Sequence, residues 1–118
     1  PDMAGTALWR GNVRDDVLRE LIYTNREVSG ADAVPLGLVT RTADDPRAEA
    51  LALARQIASR NPDAVRGAKR LANAAFDTDA AGMLLAESHE QGLLIRSANQ
   101  IEAVMANMQK RPPNFSDG

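Results

Sequence analysis

The chain has 118 residues, enough for one domain, with 44% hydrophobic but only 3% aromatic residues and a formal net charge of -2. A balance this close to neutral argues against nucleic acid or an anionic membrane surface as a partner. The absence of cysteine excludes disulfides and thiolate metal sites, and a single histidine argues against a His-based metal site or a Ser-His-Asp triad.

Residues 1–14 hold Pro1, Gly5 and Gly11 and read as loop with one helical turn at most. Trp9, the sole tryptophan, reads as a packing anchor more readily than as a ligand contact. Asp15 and Asp16 then open a helix to about Thr24, because acids suit the positive end of the helix dipole. Val17, Leu18, Leu21 and Ile22 share its apolar face. Ser29 with Asp32 approximates a capping box and starts a second short helix, which Pro35 shortens or kinks and Gly37 closes. Leu38-Val39-Thr40 is predicted as a short strand.

Asp45-Pro46 pairs an N-cap acid with proline at the first helical position. The helix it starts is predicted to reach about Ser59, with Ala50, Leu51, Ala54, Ile57 and Ala58 inward. Asn61-Pro62-Asp63 repeats the device for a helix to about Phe76, with Val65, Ala68, Leu71, Ala72 and Ala75 apolar and Arg66, Lys69 and Arg70 on a solvated face. Asp77-Thr78-Asp79 caps the next helix, to about Arg96, and Ser97-Ala98-Asn99-Gln100 is a capping box for the last, to about Lys110. The fold class expected is mainly α, with five to six helices and one short strand. No apolar run approaches the roughly 20 residues that span a bilayer. A cytoplasmic protein is the default.

Two segments together carry a resemblance. Pro1-Asp2-Met3-Ala4-Gly5-Thr6 is followed by Thr24-Asn25-Arg26-Glu27-Val28-Ser29-Gly30-Ala31-Asp32 and then Gly37-Leu38-Val39. This order resembles the middle and C-terminal half of the crotonase family, the enoyl-CoA hydratase/isomerase group. The resemblance covers nearly the whole chain and includes the Asn61-to-Phe76 helix. It implies a fragment of the α/β ClpP/crotonase-like spiral fold. Residues 1–45 would be the end of the core and residues 46–118 a helical oligomerisation region, with the N-terminal half of the same protein lying before Pro1. Met3-Ala4 and Pro35 depart from the common family pattern.

The resemblance also implies a chemistry. Asp2 corresponds to a residue that enters the acyl pocket and shuttles a proton in enoyl- and dienoyl-CoA isomerases. A thioester acidifies its neighbouring carbons, oxyanion-hole N–H groups stabilise the enolate, and a desolvated carboxylate moves the proton. Family hydratases more often carry glycine at this position, so Asp2 favours an isomerase over a hydratase. Lys110, Arg111 and Phe115 resemble the closing segment that contacts CoA, Lys110 as a point charge and Arg111 as a fork on phosphate. The competing reading of the two cations is a favourable interaction with the end of the last helix. CoA enters as part of an acyl-CoA substrate, with no separate cofactor and no metal, and a homotrimer or hexamer is implied. The isolated chain would be inactive.

A different class of function is an inactive helical oligomerisation module. An unrelated helical bundle is a third. His89 lies among Glu87, Ser88 and Glu90 and reads as a helix-surface or interface residue, and Asp15-Asp16 and Asp44-Asp45 read as caps rather than acid/base pairs.

Overall fold

The computed structural model describes residues 4–117. Asp2 therefore lies outside the described residues. Seven helices and no strand occur among them: α1 Gly5–Trp9, α2 Asp15–Thr24, α3 Gly30–Ala33, α4 Pro46–Ala58, α5 Pro62–Ala74, α6 Ala80–Leu94 and α7 Ala98–Met108. The mainly α class is as expected, whereas the strand at Leu38-Val39-Thr40 does not form. A strand needs a ladder partner, and no described segment supplies one. The chain divides into two compact units, Pro1–Glu49 and Ala50–Gly118.

In the first unit, α2 begins and ends where its charges and turn residues direct. Asp15 and Asp16 occupy its first turn. Arg19 Nε meets Asp15 Oδ2 at 2.6 Å one turn on, and Arg14 pairs with Asp16. Asn25 closes the helix in the left-handed region (φ 50) and donates its N–H to the Leu21 carbonyl. Ser29 caps α3, its Oγ accepting from the Asp32 N–H at 3.1 Å. The segment then ends in a Schellman closure. Leu38 N–H bonds to Ala33 O and Gly37 N–H to Val34 O, with Gly37 at φ 78. Glycine is required there twice over, since a Cβ would also stand 2.7 Å from the Asn12 carbonyl oxygen. Among the described residues, Val13, Leu18 and Ala33 are the buried apolar residues of this unit.

Helix α4 starts as expected, with Asp45 Oδ1 accepting from the Ala48 N–H at 3.0 Å and proline at its first position. Its expected inward face is not buried. Ala50, Leu51, Ala54, Ile57 and Ala58 are all exposed. The 3.6 period identifies a face that suits packing, but burial needs an apposed surface, and the described residues do not close over this one.

In the second unit, α5 packs against α6 and α7. Asn61, Asp79 and Ser97 cap α5, α6 and α7, each through a side-chain oxygen that accepts a helix N–H. Gln100 completes the last cap by accepting from Arg96 N–H rather than from Ser97. Between α5 and α6, Arg70 forks onto Glu90 with both bonds at 2.7 Å. Gly67 is buried directly beneath, where a Cβ would lie 2.9 Å from Glu90 Oε2. Arg66, Lys69 and Arg70 are exposed, as expected of a solvated face, and Arg66 also reaches Asp117 at 2.8 Å. Of the expected α5 stripe, Val65 and Leu71 are half-buried, while Ala68, Ala72 and Ala75 are exposed.

Apolar burial is thin in this unit. Among the described residues Ala106 is the buried apolar side chain, whereas Leu84, Leu85 and Met108 are 64%, 73% and 73% exposed. Such exposure of large side chains is characteristic of surfaces that other protein covers.

Candidate functional site

A dense polar arrangement lies at the end of α7, where the C-terminal tail returns along the helix. Helix α7 closes with the same hydrogen-bond pattern as α3. Arg111 N–H reaches Ala106 O at 3.0 Å and Lys110 N–H reaches Asn107 O at 3.2 Å. Here the left-handed position belongs to Lys110, at φ 52, where α3 has glycine. The reversal turns the chain so that Arg111 faces back to Glu102, nine residues earlier.

Arg111 Nη1 and Nη2 lie 2.5 and 2.8 Å from the two oxygens of Glu102. Arg111 Nε donates to Gln109 Oε1 at 2.7 Å, and Nη1 donates also to Pro112 O at 3.1 Å. Glu102 accepts a further bond from the Asn114 N–H at 2.7 Å. The Arg111 guanidinium, with the Asn114 N–H second, holds the Glu102 carboxyl down to about 2 from its ordinary 4.5. Arg111 is raised in turn by the same carboxylate.

One turn earlier on α7, Asn99 fixes the end of the tail. Its Nδ2 donates to Asp63 Oδ2 and to Ser116 O, each at 2.8 Å, and its Oδ1 accepts from Ser116 N–H at 3.0 Å. Asn99 is only 5% exposed, so this satisfaction matters: an unpaired buried amide is costly. Between these anchors, Phe115 is half-buried and lines a groove of about 300 Å³ with Arg111, Pro113, Ser59, Asn61 and Asn107.

The structure therefore brings Lys110, Arg111 and Phe115 to one tail. Asp2 lies outside the described residues. Residues that the sequence reading did not single out, Glu102, Asn99 and Asp63, hold that tail in place. The spacing of Asn99 and Glu102, three apart on one helix, was the available signal, but their partners come from beyond the helix. Trp9, in the first unit, borders a separate groove of about 630 Å³ with Asn12, Val34 and Leu38. His89 is exposed. No helix among the described residues is long and apolar enough to cross a membrane.

No protein-family model matches the chain. Individual proteins do. The chain is 29% identical to "Probable enoyl-CoA hydratase 2, mitochondrial" of Arabidopsis thaliana, over 98% of its own length and 39% of that protein. It is 32% identical to a "Probable enoyl-CoA hydratase" of Mycobacterium bovis, over 98% of its length and 46% of that protein. The crystal structure of an enoyl-CoA hydratase from Polaromonas sp. JS666 superposes with a TM-score of 0.86 at 27% identity, covering 98% of this chain and 46% of that one. The chain thus spans less than half the length of the relatives it matches. It is similar to crotonase-family enzymes over 98% of its own length, and its helical structure matches the C-terminal helical part of their fold.

Proposed function

We propose that this chain is part of an acyl-CoA-processing enzyme that acts on a thioester through an enolate, as an enoyl-CoA isomerase or hydratase. The observation that carries the proposal is the superposition of 98% of the chain on an enoyl-CoA hydratase at a TM-score of 0.86. In this reading Asp2 moves the proton between acyl carbons. Its carboxylate would work against an oxyanion hole supplied by the N-terminal part of such an enzyme. The tail bearing Lys110, Arg111 and Phe115 is the contact for CoA, which serves as the handle of the substrate. By itself the chain would be inactive, because it carries a proton shuttle without the groups that stabilise the enolate. A homotrimer or hexamer and a cytoplasmic location complete the proposal.

The test is turnover by the chain fused to the N-terminal part of the Polaromonas hydratase, with product analysis separating hydration from double-bond migration. Turnover that Asp2→Ala abolishes supports the reading. A folded fusion inert towards enoyl-CoA thioesters of several lengths overturns it, and turnover unaffected by Asp2→Ala overturns the role of Asp2.

A second reading, a catalytically inactive helical association module, is favoured by the exposed Leu84, Leu85, Leu93, Ile95 and Met108 of the α6–α7 region. Self-association of the chain together with an inert fusion is its signature.

A further inference from the structure

The Arg111 fork is already occupied. Four of its five N–H donors are engaged within the chain: two on Glu102, one on Gln109 and one on Pro112. A phosphate could claim the fork only by displacing a bidentate carboxylate, one of the stronger contacts available to a guanidinium. Lys110 is exposed and, among the described residues, has no ion-pair partner.

Glu102 and Asn99 lie one turn apart on α7, and each takes hold of the tail by its backbone. Glu102 accepts from Asn114 N–H, and Asn99 exchanges two bonds with Ser116. Phe115 is the residue between these two anchor points. Its position over the groove is therefore set by main-chain bonds on both sides, not by its own packing alone.

We propose that Glu102 and Asn99 are positioning residues for the C-terminal tail, with Arg111 acting in that clasp and Lys110 and Phe115 left as the tail's ligand-facing groups. The clasp stands on the geometry alone. The ligand-facing assignment rests on the acyl-CoA reading above.

The experiment combines amide hydrogen exchange at Asn114 and Ser116 with titration of free CoA, both on the full chain. Glu102→Ala should speed exchange at Asn114 by roughly tenfold or more, because the bond that protects it is gone. Glu102→Gln keeps an oxygen acceptor and nearly the same shape, so it should recover part of that protection. Arg111→Lys keeps the cation but loses the fork and should loosen the tail as Glu102→Ala does. Exchange at Asn114 and Ser116 that stays at the parent level in Glu102→Ala, Glu102→Gln and Asn99→Ala overturns the clasp.

The sign of the CoA response separates the roles. If Arg111 positions the tail, Glu102→Ala weakens CoA binding. If Arg111 is itself the ligand, Glu102→Ala frees the fork, and affinity holds or rises, which overturns the assignment. An unaltered chain that shows no CoA binding at all counts against both the acyl-CoA reading and the ligand-facing assignment, while the exchange data still decide the clasp.

Discussion

Lys110 occupies a position where its stability and its proposed role pull in opposite directions. It sits at φ 52 in the closure of α7, and the equivalent position after α3 is Gly37. An L-residue in the left-handed region costs about 1–2 kcal/mol, against about 0.5–1 kcal/mol of extra backbone entropy that glycine loses on folding. The difference favours Lys110→Gly by about 1 kcal/mol. For 118 residues, an unfolding entropy of about 2.1 cal/mol/K per residue converts this to a melting-point rise of roughly 4 °C. Thermal unfolding followed by circular dichroism measures it. Lys110→Ala is the control, since it removes the charge without relieving the backbone and should give no rise. In a CoA titration both variants should bind more weakly than the parent. A Lys110→Gly variant no more stable than Lys110→Ala would refute the backbone argument. Unchanged CoA affinity in both would refute the role of the ammonium.

Two helix glycines should respond differently to alanine. At Gly92 a Cβ meets nothing within 4 Å, so Gly92→Ala should stabilise by up to about 1 kcal/mol through helix propensity. At Gly67 the Cβ would stand 2.9 Å from Glu90 Oε2 and force the Arg70–Glu90 fork aside, so Gly67→Ala should gain less or lose; equal melting points would contradict this close approach. Gly37→Ala combines φ 78 with a 2.7 Å approach to Asn12 O and should destabilise the first unit by at least about 1–2 kcal/mol, read as a lower urea midpoint. The Glu102 clasp also predicts a pH dependence. Its folded pKa, about 2, lies below the ordinary 4.5, so its contribution is fully present above about 4.5 and is lost as pH falls towards 2. Intrinsically corrected exchange at Asn114 should therefore be flat from pH 7 to 5 and rise below that range, and Glu102→Gln should flatten the acid limb.

Local features of the fold were legible because local chemistry fixes them. Ser29, Asp45, Asn61, Asp79 and Ser97 are caps in the structure as in the sequence; the helices after the last four end within about two residues of expectation, while α3 stops at Ala33, short of the closing Gly37. Burial was less legible. Ala50, Leu51, Ala54 and Ile57 have the spacing of a packed face, yet that face is exposed, because periodicity reports what a helix could bury and not what is there to meet it. Leu38-Val39-Thr40 fails as a strand for the same reason. At the tail, Lys110, Arg111 and Phe115 stood out as cations and an aromatic, but Glu102 and Asn99 did not. Their spacing of three on one helix says little until the chain reversal at Lys110 brings their partners back, nine and seventeen residues away. The family resemblance lay in the order of short motifs, and similarity to enoyl-CoA hydratases extends over 98% of the chain.

The central proposal is that these helices form part of a larger crotonase-type enzyme that covers their exposed apolar faces. Sedimentation velocity tests it most directly, with the chain run alone and then mixed with the N-terminal part of the Polaromonas hydratase. The account predicts that the 12.7 kDa chain does not persist as a lone monomer at micromolar concentration, and that it enters a single larger species with the added part. A monodisperse 12.7 kDa monomer that unfolds cooperatively at every concentration, and ignores the N-terminal part, would contradict it.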